Sequence, residues 1–433
     1  MGQFCTDINS DSGHQALPID GSFALNSEAL HNYGGDYLKK TRDVVGQLIG
    51  MAYGANPVRW YAMGGSKGGQ EMMALIQTWP QDWDGVVAWY PAISLANKFR
   101  AHLKWTQALA APDGYLSPEK RMLLRDSVLA ACDGLDGVKD GIVSNVDACR
   151  TAFNPKTALT AGGRPLRCTG GLDLGSSCLS DAQINSVVTM ASPTPFAQAT
   201  IRGDTDAPGM EWGSDLGGGV YSNSLGGLIA AVGSYVLGLG TLPPSYLTNL
   251  NPVLRAAMPA DSWFGADYAR FMVAGNPFYD FLGLNTYSLG SYTARVHELE
   301  GILNKDDPNL SPFFQRGGKV ILVQGMADSV VPLEGTRRYY NRVLQTVPAA
   351  LTNGGLRYYE VPGMAHAVGL SFTGQWDGLA ALQQWVENGT APVNPIVQDG
   401  GAPRSRPLCQ YPTWPEYLGG DPNVASSFSC AKG

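Results

Sequence analysis

The chain has 433 residues, enough to bury a large core either as one domain with an insertion or as two domains. Its formal net charge is −7, only 15% of residues are charged, and no basic block occurs, so no nucleic-acid partner is expected. No apolar run reaches bilayer-spanning length, so no membrane partner is expected either. Glycine (54) and proline (28) are abundant, as in loop-rich secreted chains, and there is no internal repeat or low-complexity tract.

In chain order, residues 4–8 have the pattern of a short strand. Residues 37–51 place Tyr37, Leu38, Val44, Val45, Leu48, Ile49 and Met51 at helical spacing, an amphipathic helix. Residues 58–63 are short, apolar and aromatic, a buried strand. Residues 71–78 carry Met72, Met73, Leu75 and Ile76 at helical spacing, with Pro80 as the stop. Residues 85–90 form a second buried strand closed by Pro91. Strand, helix and strand at this spacing make a parallel βαβ unit.

From about 94 to 305 strand-like runs become rare, and helices and glycine-rich loops take over, the mark of an inserted domain and of a lid. The buried-strand pattern returns at 319–324. A helix at 335–346, a strand at 357–361 and an amphipathic helix at 376–387 follow, and the tail reads mostly as loop. The fold class is therefore α/β. Its core is split between residues 1–93 and 306–433, around an inserted, mostly helical and loop domain at 94–305.

Between the first strand and its helix, Gly64-Gly65-Ser66-Lys67-Gly68 fits G-x-S-x-G, and Ser66 is the only serine in the chain that does. In a nucleophile elbow the serine sits on a strained strand-to-helix turn, and glycines on either side let the backbones pass. The next amide, that of Lys67, then points at a developing oxyanion. Partners should follow in the order acid, then histidine, each on a loop after a later strand. Of the five histidines, only His366 follows a strand of the C-terminal half. Asp328 lies four residues past Gln324, and Glu334 and Glu360 are weaker acid candidates. His366 would act as general base and then general acid, while Asp328 fixes its tautomer and stabilises the imidazolium. Each residue alone has a plainer explanation, a capping or core histidine and a turn aspartate. The required order after predicted strands favours the triad Ser66, Asp328, His366.

Seven cysteines occur. Cys132, Cys149, Cys168, Cys178, Cys409 and Cys430 fall into three sequence-local pairs, and Cys5 is left over. This matches a disulfide framework from an oxidising compartment; the competing reading is six free buried thiols. No C-x-x-C occurs, so zinc has little support. The run Cys132–Ile142 places Asp133, Asp136 and Asp140 among glycines, a hard-oxygen set that suits Ca²⁺. The spacing is not that of an EF-hand and no closing glutamate follows, so an acidic turn without an ion is the competing reading. If Cys132 pairs with Cys149, closing a loop of ~15 residues contributes roughly 3 kcal/mol.

Together these pieces resemble the tannase/feruloyl esterase family, secreted α/β hydrolases with an inserted lid. Further similar stretches are Asp11-Ser12-Gly13-His14, Asp307-Pro308-Asn309-Leu310-Ser311, Arg316-Gly317-Gly318-Lys319, Pro362-Gly363-Met364 before His366, Trp385-Val386-Glu387-Asn388-Gly389, and Arg406-Pro407-Leu408-Cys409. The resemblance implies a secreted serine esterase for small esters of aromatic acids of feruloyl or galloyl type. It implies a structural Ca²⁺ held by Asp133, Asp136 and Asp140 side chains and by the Val138 and Ile142 carbonyls. It also implies the bridges Cys132–Cys149, Cys168–Cys178 and Cys409–Cys430. Trp105, Trp212 and Trp263 are candidates to line an acyl pocket, against plain packing.

Two departures stand out. The family usually carries cysteines just before the nucleophile and just after the histidine, joined under the site; here those positions are Gly65 and Ala367. The chain also begins without a leader-like segment and without the family's early strands and second oxyanion amide. A truncated reading frame is therefore expected. The alternative from another class is a non-catalytic relative, a calcium- and disulfide-stabilised binding protein.

Overall fold

A computed structural model describes residues 7–8, 10–14, 20–214, 261–367, 369 and 371–432. The expected strand at 4–8, Cys5, and the glycine-rich loops of 213–219 and 226–240 lie mostly or wholly outside the described residues.

The centre is a five-stranded sheet. Its strands, in spatial as well as chain order, are β1 (Tyr61–Gly65), β2 (Gly85–Trp89), β3 (Lys319–Gly325), β4 (Leu356–Val361) and β5 (Cys409–Gln410). The first four run parallel, in a register that sets Tyr61 against Gly85, Val86 against Val320 and Val323 against Tyr359. The last is antiparallel, with Cys409 opposite Glu360.

The near-continuous apolar runs of β2 and β3 follow from burial on both faces, since helical crossovers cover a parallel sheet on each side. Val86, Leu322 and Tyr358 point to one face. There they pack on helix α2 (Lys67–Thr78) through Met73 and Ile76, and on α7 (Leu333–Thr346) through Tyr339 and Val343. Val87, Ile321, Val323 and Tyr359 point to the other, against Leu382 and Trp385 of α8 (Gly378–Asn388). Each such fully buried side chain stabilises the fold by roughly 1.5–3 kcal/mol.

Helix α1 (Tyr37–Tyr53) forms where its periodicity predicts, but none of its residues is buried. Val44, Leu48 and Met51 are exposed, as is Met63 on β1, which is an edge strand.

Between β2 and β3 lie α3 (Leu95–Ala110), α4 (Pro118–Cys132), α5 (Asp181–Ala191) and α6 (Thr293–Leu303). Their apolar faces build two further cores, one around Trp105, Leu124 and Ile184, the other around Phe99, Tyr268 and Leu299. Three disulfides join Cys132 to Cys149, Cys168 to Cys178 and Cys409 to Cys430. Among the described residues no helix is long and apolar enough to cross a membrane.

Two expectations need correction. The tail is not mostly loop: Thr413–Tyr417 and Phe428–Lys432 pair as an antiparallel hairpin, and Cys409–Gln410 joins the central sheet. These strands of two to five residues are too short to show alternation. Helix α2 starts at Lys67, not at residue 71, because its first turn holds the glycines that the elbow requires.

Candidate active site

The chain leaves β1 at Gly65 and enters α2 at Lys67, so Ser66 alone makes the turn, at φ 59° and ψ −117°. A non-glycine residue there is strained, and the strain is held by the backbone around it. Ser66 N donates to Trp89 O (3.0 Å), and Ala92 N donates to Ser66 O (3.1 Å). The acceptor is the last residue of β2 and the donor lies in the turn just after it, so the neighbouring strand and its exit pin the serine.

The glycines divide the work differently from the simple motif. A Cβ on Gly64 would lie 2.6 Å from the Gly68 carbonyl, so position 64 has no room. A Cβ on Gly68 would meet only Glu71, at 4.0 Å. The second crowded position is Gly69, whose Cβ would lie 2.7 Å from Pro91 Cα and Trp89 O. The amide of Lys67 is one of the first N–H groups of α2, which a helix leaves without internal acceptors. Its side chain turns elsewhere. The ammonium donates to Gln70 Oε1 and Glu71 Oε1 (2.8 Å each) and lies 4.7 Å from the centre of the Tyr33 ring. Burial lowers its pKa, and Glu71 opposes that shift.

Asp328 follows β3 and is 2% exposed. Its Oδ1 accepts from the amides of Val330 and Val331, both at 2.8 Å, and Gln324 Nε2 donates to Oδ2 at 3.3 Å. Gln324 is itself fully buried; it also donates to Val331 O (3.1 Å) and accepts from Thr336 Oγ1 (2.9 Å). His366 follows β4. Its Nδ1 lies 2.9 Å from Asp328 Oδ2, and its Nε2 lies 2.9 Å from Ser66 Oγ. The loops carrying acid and histidine are tied together, since Met326 N donates to Val361 O and Ala327 N to Met364 O.

The structure thus brings Ser66, His366 and Asp328 into one hydrogen-bonded line. Glu334 and Glu360 are elsewhere. Glu334 faces Arg338, and both Glu360 oxygens accept from Arg337 at 2.7 Å. Sequence reasoning missed Gln324 and Tyr90. For Gln324 a signal existed, as the lone amide at the end of the apolar run Val320–Val323. Tyr90 carried none.

Trp105 and Trp212 are engaged in packing. Trp105 is buried in the insertion's core and stacks on His102 (4.7 Å), and Trp212 meets Phe153 edge-on. The side chain of Trp263 lies outside the described residues. An open cleft of about 670 Å³ lies beside the triad, bounded by Gly65, Tyr90, Met364, Ala367 and Trp376.

In the acidic loop, Asp133 Oδ1 accepts from the amides of Asp140 (3.1 Å), Gly141 (3.1 Å) and Ile142 (3.3 Å). Asp136 Oδ1 accepts from Val138 N (3.2 Å), and Asp140 pairs with Arg406. Asp136 Oδ2 is buried without a hydrogen-bond partner. Burial first, then Asp140 and Asp133, push the Asp136 carboxyl up to about 6, while the nearby Ser144 hydroxyl and the Val138 amide pull it back. A buried, unpaired carboxylate oxygen among carboxylates fits a hard cation. Among the described residues no three acidic, histidine or cysteine side chains already converge to hold one.

A serine on a strained turn at the end of a parallel strand, with an aspartate and a histidine on loops after later strands, is the arrangement of an α/β-hydrolase core with a large insertion. Comparison with known proteins gives the family. Residues 2–431 match the model described as tannase and feruloyl esterase, and the chain belongs to that family. It is 34% identical over 443 residues to an uncharacterized esterase of Agrobacterium fabrum, covering 98% of this chain and 73% of that one. It is 31% identical over 459 residues to a mono(2-hydroxyethyl) terephthalate hydrolase of Piscinibacter sakaiensis, with the same shares covered. The crystal structure of an esterase from Aspergillus oryzae superposes with a TM-score of 0.76 at 25% identity, over 97% of this chain and 78% of that one. The protein is a carboxylic ester hydrolase of the tannase/feruloyl esterase type, as expected.

Proposed function

We propose that this hydrolase works through Ser66, His366 and Asp328 by an acyl-enzyme, on small esters of aromatic acids. The observation that carries the reading is the line from Asp328 Oδ2 through His366 to Ser66 Oγ, with both contacts at 2.9 Å. His366 Nε2 takes the Ser66 proton as Oγ attacks the ester carbonyl. The Lys67 amide donates to the oxyanion of the tetrahedral intermediate. His366 then gives the proton to the departing alcohol, leaving the acyl group on Ser66. Water, deprotonated by the same nitrogen, releases the acid and restores the serine. Asp328, held by two backbone amides, fixes the His366 tautomer and balances the imidazolium. The aromatic acyl class rests on the family and on the terephthalate-ester hydrolase relative.

Turnover of p-nitrophenyl acetate, methyl ferulate, methyl gallate and mono(2-hydroxyethyl) terephthalate, beside the Ser66→Ala variant, tests this reading. Loss of turnover in that variant, with fluorophosphonate labelling of Ser66 in the parent, is expected. Undiminished turnover in Ser66→Ala would overturn it.

Asp133, Asp136 and Asp140, with the Val138 and Ile142 carbonyls, would hold a structural Ca²⁺. That ion would offset the charge crowded around Asp136 and take no part in the chemistry. The three disulfides favour a secreted protein, since such bridges persist in oxidising compartments.

A further inference from the structure

Tyr90 follows β2 directly and adopts φ 33°, a value that non-glycine residues rarely take. Its amide donates to Val323 O on β3 at 2.6 Å, so the strained backbone is fixed from the next strand. This geometry turns its ring onto His366. The phenol and imidazole centroids are 4.8 Å apart, with planes inclined at 59°. The ring also fills the space above Gly65. A Cβ built at Gly65 would lie 2.7 Å from Tyr90 Cε2 and Oη, and 2.8 Å from Cζ. Burial, and then the charge of Asp328, raise the phenol pKa, so the ring lies within reach of the acid's field as well.

An imidazole bonded only at its two nitrogens can still roll about the line joining its partners. It can also swing out of line when the Ser66 bond breaks during the reaction. Packing against the ring opposes both motions, and displacement of a reacting group by about 1 Å can cost on the order of 10²-fold in rate. We propose that Tyr90 is a positioning residue that holds the His366 imidazole in line with Ser66 and Asp328, and that position 65 is glycine to leave room for its ring. The inference rests on the triad reading above.

The test is a double-variant cycle at 65 and 90, read by kinetics and by the rate of fluorophosphonate labelling of Ser66. Tyr90→Ala is expected to lower kcat by about 10- to 100-fold with KM changed by less than about threefold, and to slow labelling by the same factor. Tyr90→Phe, which keeps the ring, stays within about threefold of the parent. Gly65→Ala pushes the ring aside and is expected to lose about 10-fold in the parent. In the Tyr90→Ala background, where the space is free, it should lose less than about twofold.

A purely structural role would move thermal stability without this non-additivity in kcat. Tyr90→Ala labelled at the parent rate, costs at 65 and 90 that multiply, or a rise in KM with kcat intact would each overturn the proposal. If Tyr90→Ala does not fold, Tyr90→Leu takes its place in the cycle, with the same expectations. The triad reading fails separately, if the parent itself is not labelled at Ser66.

Discussion

Gln324→Met is the substitution that tests how the acid is held. The side chain is fully buried, and methionine matches its volume, so no cavity is left. The exchange removes the donor to Val331 O (3.1 Å) and the acceptor for Thr336 Oγ1 (2.9 Å), and neither group can reach water. A buried group stripped of its partner costs about 1–3 kcal/mol, so two such groups cost roughly 2–6 kcal/mol of stability. Asp328 loses only its longest contact, at 3.3 Å, and keeps the two backbone amides and His366. The loss in kcat should therefore stay within about 10-fold, far short of the ~10⁴ expected for Asp328→Asn. Urea unfolding followed by circular dichroism gives the first quantity, and turnover of p-nitrophenyl acetate the second. Adding Thr336→Val removes one orphaned group and should recover about 1 kcal/mol. A double variant no more stable than the single, or a single variant within about 0.5 kcal/mol of the parent, would show that Gln324 is not what satisfies these two groups.

Further outcomes are expected elsewhere. Glu360→Leu leaves the buried Arg337 guanidinium with only the exposed Asp147 carboxylate at 3.3 Å and strips the Tyr358 hydroxyl of its acceptor, a loss of about 3–5 kcal/mol in urea unfolding, while Arg337→Met/Glu360→Leu should recover part of it. The Lys305 ammonium, lowered to about 8 chiefly by burial, is protonated in the unfolded chain but not in the fold between about pH 8 and 10.5. Over that window the parent should gain stability relative to Lys305→Met, and parallel pH profiles would refute the shift. Calcium should raise the melting temperature of the parent over that in chelator, and Asp136→Asn should shrink the gain without altering turnover per folded molecule.

The sheet was legible because parallel strands buried on both faces leave continuous apolar runs, and β2 and β3 are such runs. Ser66, Asp328 and His366 could be proposed together for a different reason: they follow β1, β3 and β4 in turn, where order along the chain is also order in space. What escaped depends on contacts that no spacing encodes. Gly69 looks like an ordinary helical residue, yet its missing Cβ is what lets α2 approach Trp89 and Pro91. The hairpin of the tail is held by pairing between residues 413–417 and 428–432 and by the Cys409–Cys430 bridge, not by any alternation of its own. Trp105 and Trp212 were plausible pocket residues by type, but their partners, His102 and Phe153, place them in packing.

The strained positions make a physical pattern of their own. Of the six non-glycine residues with positive φ among the described ones, three, Ser66, Tyr90 and Ala367, adjoin His366 in sequence or in contact; Ser12, Asp113 and Asn394 do not. Each such conformation costs on the order of 1–3 kcal/mol, and it persists only where the surroundings over-determine it. For Ser66 the surroundings are the end of β2, and for Tyr90 the carbonyl of Val323 on β3. The central strands therefore do more than supply a core. They hold Ser66 and the Tyr90 ring beside the imidazole in backbone conformations that a free chain would leave at once. Loosening β2 against β3 should accordingly harm activity before it unfolds the protein. Ala88→Gly, in the fully buried middle of β2, should cost about 1 kcal/mol or more of global stability. The rate of Ser66 labelling in this variant should fall at temperatures where circular dichroism still reports a folded chain. Labelling that tracks the unfolding curve would show instead that the strained turns are held locally, independent of the strands beneath them.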